Sequence, residues 1–175
     1  IINSSWWGQC DSIYTAWLLL TFYACLRGRA NLAWGFWGVA LAFKLQAIFL
    51  LPFLLFWTIS RRERWTAPLY AAWWFLLLSI APLLEGAGIS SLWAAYISQA
   101  DVANLGLSFN APTIYTWLPA SAGYQHLGVI QKVGQAVTAL AVLIYLWPAR
   151  RRRHDNKHTL LVYAALSVFL VTFLM

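Results

Sequence analysis

Long apolar runs punctuated by short arginine clusters leave few folds open to this chain. Ile13–Leu26 ends at Arg27-Gly28-Arg29, and Leu32–Ser60 ends at Arg61-Arg62-Glu63-Arg64. Ala67–Leu84 and Val129–Trp147 are further runs, the second followed by Arg150–Arg153 and Lys157, before a last run over Leu160–Met175. A hydrocarbon core about 30 Å thick admits helices of about 20 apolar residues, because backbone polar groups find no water there. Hydrophobic residues make up 62% of the chain and charged residues 10%, against about 45–50% and 25% in soluble domains. The expected fold is therefore all-α, a polytopic transmembrane helical bundle. Residues 1–175 read as part of a single transmembrane domain.

The net charge of +7 does not point to nucleic acid, because the basic residues fall between apolar runs rather than on a groove. Arg27, Arg29, Arg61, Arg62, Arg64, Arg150–Arg153 and Lys157 hold 10 of the 12 Lys and Arg. Ile1–Ser12 and Glu85–Gly128 hold none. That contrast places the arginine links in the cytoplasm and the other two segments on the extracytoplasmic side. Glu85–Gly128 is then one long extracytoplasmic loop, with an amphipathic piece at Leu92–Gln99.

Leu32–Ser60 has basic residues at both flanks, so a single straight helix would break the charge rule. Two arms meeting near Lys44–Gln46 keep it, although each is only about 20 Å long. A short broken hairpin is expected, with Pro52 bending the second arm. Such irregular backbone is tolerated where it is buried in protein or lines a polar cavity. The start at Ile1, with no basic leader, and the end inside an apolar run suggest an internal piece of a longer polytopic protein. Cys10 and Cys25, about 22 Å apart along one helix, are too distant to form a disulfide.

Trp6–Ser12 reads W-W-G-Q-C-D-S and stands at the mouth of the first run. Gly8 permits a turn, and Trp6 and Trp7 suit the headgroup level. Asp11 serves either as a helix cap favoured by the macrodipole or, with Gln9, as a polar site. Lys44, in F-K-L-Q, lies deep in apolar sequence, where an unpaired charge costs about 3 kcal/mol. It is either a snorkelling residue at the hairpin tip or a cation aimed at a lipid phosphate, with Gln46 adding hydrogen bonds. An internal partner among Asp11, Glu85 and Asp101 is a further alternative. The long loop carries Asp101, Asn104, Asn110, Tyr115, Trp117, Tyr124 and His126. Aromatic faces beside amides and carboxylates suit sugar rings, although interfacial aromatics also anchor helices. His126 is a candidate acid or base. Neither a Cys/His metal spacing nor a phosphate loop is present in the sequence. No cofactor is expected, with a divalent metal left open. Arg150–Arg153 reads as a topology anchor that attracts anionic lipid.

The ordered strings W-W-G-Q-C-D-S-I-Y, R-G-R-A and A-F-K-L-Q-A-I-F-L-L-P-F-L-L resemble bacterial polytopic glycosyltransferases of the GT-C superfamily. The nearest group is the mannosyltransferase-like proteins related to the enzyme that adds the second mannose to GPI anchors. The matching residues are Trp7, Gly8, Gln9, Asp11 and Ser12, then Lys44, Gln46, Ala47 and Pro52. Leu107–Pro112, which includes Asn110, and Tyr115 with Trp117 are also similar. The resemblance implies a polyprenyl- or dolichyl-phosphate sugar donor, inverting transfer to a glycan or lipid acceptor, and no nucleotide-sugar site. It also implies that the usual catalytic base precedes Ile1, which would make Asp11 a second acidic group.

The function this implies is transfer of a mannose-like hexose on the extracytoplasmic face of a bacterial inner membrane. Asp11 is the catalytic candidate. Trp7, Gln9, Lys44, Gln46, Asn110, Tyr115 and Trp117 would bind substrate, with Asp101 and His126 as further candidates. The partners are membrane lipid, a lipid-linked sugar donor and the acceptor, without nucleic acid. A polytopic transporter or lipid-linked-sugar flippase is the alternative, since broken helices and intramembrane charge also serve transport. A noncatalytic scaffold subunit is a third reading.

Overall fold

The computed structural model describes residues 11–86, 88–91, 94, 127–150 and 156–174. The described residues are all-helical, without a strand. In chain order the elements are α1 (Asp11–Leu26), α2 (Ala30–Phe43), a 3-10 turn (Leu45–Leu50) and α3 (Leu51–Arg61). They continue with α4 (Pro68–Leu84), α5 (Leu127–Leu146), a second 3-10 turn (Trp147–Arg150) and α6 (Lys157–Leu174). Nearly all of the proposed long loop, including most of Leu92–Gln99, lies outside the described residues.

Leu32–Ser60 does fold back on itself. Phe43 ends α2, and Lys44 is fully extended at φ −156°, ψ 129°. No glycine or proline forces this break, so tertiary contacts must hold it. Trp37 Nε1 donates to the Ala47 carbonyl at 2.8 Å, and Trp34 Nε1 donates to Thr58 Oγ1 at 3.0 Å. Those bonds set the second arm antiparallel to the first. Pro52 stands where that arm passes from the 3-10 turn to α3. It occupies the first turn of α3, where its missing N–H costs nothing and its fixed φ favours helix. The next free donor, Phe53 N–H, bonds Ser167 Oγ at 3.1 Å. The Ser167 hydroxyl donates in turn to the Phe49 carbonyl at 2.9 Å. One side chain of α6 thereby satisfies both an orphan donor and an orphan acceptor at the junction.

α2 is the hub, with α1 along one side and α4 along another. The α2–α4 crossing is backbone against backbone. A Cβ built on Gly38 would lie 2.4 Å from the Ala71 carbonyl oxygen, so only glycine fits. Small residues at a helix crossing let the two backbones approach closely and gain dispersion contacts. The main core joins Ala24 and Cys25 of α1, Trp34 and Trp37 of α2, Phe53, Leu54 and Trp57 of α3, and Leu160 of α6. A second cluster ties α5 to its neighbours. Phe56 stacks on Tyr163 with ring centroids 3.8 Å apart, and Tyr145 Oη donates to the Tyr163 carbonyl at 2.7 Å.

The stretch Gly128–Ala149, with 22 residues and a mean hydropathy of 1.6, is long and apolar enough to cross a membrane. The other described helices are apolar but shorter, at 10–17 residues by the same measure. The expected spans at Ile13–Leu26 and Ala67–Leu84 therefore appear as helices α1 and α4 of about 24–26 Å, below the thickness of an average bilayer core.

Because the hairpin reverses the chain, the basic links gather. A Cβ on Gly28 would meet Arg61 Nη1 at 3.0 Å, so Arg27–Arg29 and Arg61–Arg64 share one end of the bundle. Asp11 and Lys44 lie at the other end.

Candidate functional site

Asp11 is the first residue of α1, and Lys44 is the extended residue between α2 and the 3-10 turn. The fold brings them together as an ion pair, Lys44 Nζ to Asp11 Oδ1. Of the internal partners open to Lys44, Asp11 pairs with it among the described residues, and Asp101 lies outside them. Tyr14, one helical turn beyond Asp11, holds its ring centroid 5.3 Å from Lys44 Nζ. The ammonium thus has an anion and the negative face of a ring beside it, and the ring adds about 0.5–1 kcal/mol.

The break creates this geometry. A helical residue at 44 would continue along α2. The extended conformation instead lets the lysine reach the start of α1. The pair is not sealed. Side-chain exposure is 28% for Lys44 and 42% for Asp11, so a ligand arriving at this end of the bundle can reach both charges.

Below the pair runs an open apolar groove of about 690 Å³, between α1 and α6 and floored by Leu50 of the 3-10 turn. Thr15, Leu18 and Phe22 line its α1 side. At 100° per residue these positions share a face with Asp11. The carboxylate therefore stands at the head of the apolar face that lines the groove.

Gln46 was expected to assist Lys44. It is exposed on the 3-10 turn, and its side chain makes no hydrogen bond among the described residues. Trp7, Gln9, Asp101, Asn110, Tyr115, Trp117 and His126 lie outside the described residues. No group of three or more His, Cys, Asp or Glu able to hold a metal ion occurs among the described residues. Cys25 is a buried free thiol, and Cys10 lies outside the described residues.

Two contributors were not singled out from sequence. Tyr14 was legible only as an aromatic one turn from Asp11, a spacing at which helical side chains meet. Ser167 carried no local signal, since its partners are more than a hundred residues away.

Compared with protein-family models, curated proteins and solved structures, the chain matches none of them.

Proposed function

We propose that this chain is part of a polytopic glycosyltransferase of the GT-C type, carrying a hexose from a polyprenyl- or dolichyl-phosphate donor to an extracytoplasmic acceptor. The observation that carries the reading is the ion pair between Asp11 and Lys44, held at a helix break, with an apolar groove starting at Thr15, one turn along the same face of α1. An amphiphile with a phosphate head and a hydrocarbon tail suits such a place. Its tail lies along Leu18, Phe22 and Leu50, and its phosphate replaces Asp11 as the partner of Lys44.

The pair then works by exchange. In the empty protein the carboxylate offsets the cost of an ammonium in apolar surroundings. When donor arrives, Lys44 turns to the phosphate and stabilises the charge that grows there as the glycosidic bond breaks. Asp11, released from the lysine, orients the acceptor hydroxyl or sugar, while the main base comes from upstream sequence. Trp7, Gln9, Asn110, Tyr115 and Trp117, with Asp101 and His126, complete the sugar and acceptor contacts in this reading.

The multi-pass reading has support of its own. Large apolar side chains face outward on α4 and α5, among them Leu69, Trp73, Leu76, Val129 and Leu143. A contiguous face of that kind is rare on a soluble monomer and is at home against lipid. The short helices fit a thinned or locally deformed bilayer, at a cost of fractions of a kcal/mol per Å. With the arginine links inside, the pair faces the extracytoplasmic side of a bacterial inner membrane.

The test is transfer of labelled hexose from polyprenyl-phosphate hexose in inner-membrane vesicles carrying the full-length protein. Wild-type protein transfers label to an endogenous glycan or lipid, and Asp11→Asn reduces that transfer sharply. Movement of intact lipid-linked sugar across the vesicle membrane, with no transfer, would establish the transport reading instead.

A further inference from the structure

The opposite end of the bundle carries a second charged constellation. α1 and α3 end in the same kind of turn. At the first, Gly28 N–H bonds the Cys25 carbonyl at 3.1 Å and Arg29 N–H bonds the Ala24 carbonyl at 3.0 Å. At the second, Arg62 N–H bonds the Ile59 carbonyl at 3.1 Å and Glu63 N–H bonds the Thr58 carbonyl at 3.0 Å. Each is a Schellman motif, which requires a left-handed residue just past the helix. Gly28 supplies it at φ 68° and Arg62 at φ 54°.

The two turns differ in what that position costs. Glycine adopts φ > 0 freely, whereas a side chain with a Cβ does so under strain. The second turn therefore holds an arginine where glycine would be the relaxed choice. Arg27, Arg29, Arg62 and Arg64 are exposed, and none of them has a carboxylate partner among the described residues. Arg61 packs over Gly28, with its guanidinium carbon 5.6 Å from the Trp57 ring centroid. Arg27 stands 5.6 Å from the Tyr23 ring centroid, and Trp65 is 67% exposed beside the second turn. The two turns thus carry five arginines and one acid, Glu63, flanked by the amphipathic rings typical of the headgroup level.

We propose that these paired turns form a binding site for the phosphate of an anionic lipid headgroup, with Arg27, Arg29 and Arg62 as its donors and Arg61 as the joint between them. Guanidinium forks bind phosphate oxygens two at a time, and two turns converging from different helices can grip one headgroup. The site is distinct from the Asp11–Lys44 pair. It stands whether or not the protein transfers sugar, and it requires only that this end meets a lipid surface.

The experiment titrates the full-length protein, purified in a neutral detergent, with phosphatidylglycerol, phosphatidylcholine or inorganic phosphate while the thermal unfolding midpoint is followed. Phosphatidylglycerol raises the midpoint saturably, and the other two do not at matched concentration. Arg27→Gln and Arg62→Gly each raise the half-saturating phosphatidylglycerol concentration about fivefold. Arg62→Lys, which keeps the charge, raises it less. Arg62→Gly is the decisive variant, because glycine suits the left-handed turn and leaves the lipid-free protein folded. Unchanged phosphatidylglycerol binding in Arg62→Gly would overturn the proposal. So would an equal response to phosphatidylcholine, which shows chain adsorption alone, or to inorganic phosphate, which removes the lipid from the assignment.

Discussion

Trp34 Nε1 reaches Thr58 Oγ1 at 3.0 Å across 24 positions of sequence, and both residues are buried. In a straight helix they would be about 36 Å apart. The bond is therefore a direct mark of the fold-back. Thr58→Val keeps the shape and leaves the indole N–H buried without its acceptor. An unfolding midpoint that falls by the equivalent of about 1–2 kcal/mol is expected, with Thr58→Ser close to wild type. No loss in Thr58→Val would mean that the arms are held together by packing alone.

Gly35 and Gly38 offer a graded test of the α2–α4 crossing. Alanine at 38 collides with the Ala71 backbone, where a Cβ would be 2.4 Å from the carbonyl oxygen. Alanine at 35 meets only the Trp74 side chain at 3.1 Å, and that ring can swing. Gly38→Ala should therefore lose about 1–3 kcal/mol through displacement of α4, while Gly35→Ala loses less. Thermal unfolding of both variants in one detergent checks the order, and equal losses would contradict backbone contact at Gly38.

The ion pair predicts non-additivity. Asp11→Asn strands an ammonium and Lys44→Met strands a carboxylate, whereas the double variant strands neither. Each single change should lower stability by about 1–2 kcal/mol, and the double change should recover part of the loss. In the transfer assay all three stay impaired, because the double variant restores the empty protein and not the phosphate contact. Strictly additive stabilities would dissolve the pair. Stability losses without any loss of transfer would confine it to a structural role.

Topology follows from the two ends of the bundle. In a protein with Cys10→Ser, a cysteine in place of Gln46 should react with a membrane-impermeant thiol reagent from the extracytoplasmic side. One in place of Arg62 should react only after the cytoplasmic face is opened. Cys25, which has 0% relative exposure, should remain unlabelled from both sides. Labelling of both introduced cysteines from the same side would invalidate the hairpin orientation.

Local order was legible in the sequence, and long-range contact was not. The run Ile13–Leu26 and helix α1 share their end at Leu26. The charge rule located the reversal near Lys44–Gln46, because basic flanks on both sides demanded an even number of crossings. Asp11 and Lys44 were both recognised, with Asp11 as one of three acids open to Lys44 beside a lipid phosphate, and the sequence alone did not choose among them. Their contact depends on an extended residue that no local propensity signals, since F-K-L-Q has neither proline nor glycine. Pro52 was legible as a mark on the second arm, and the structure adds that a helix starts there. Gly38 and Ser167 were silent because their meaning lies in Ala71, Phe49 and Phe53, which neither the period nor the composition of their own helices can reveal.

The Ser167 bridge has a consequence for how the protein is made. Phe53 N–H receives its partner 114 residues later, which at about 5–20 residues per second is a delay of roughly 6 to 23 s. Throughout that interval the second arm of the hairpin has left the ribosome with its first turn uncapped. Water can hold the free donor at the junction until α6 arrives and displaces it. α6 is the latch that completes an element translated long before it, so removing α6 would damage α3 as well.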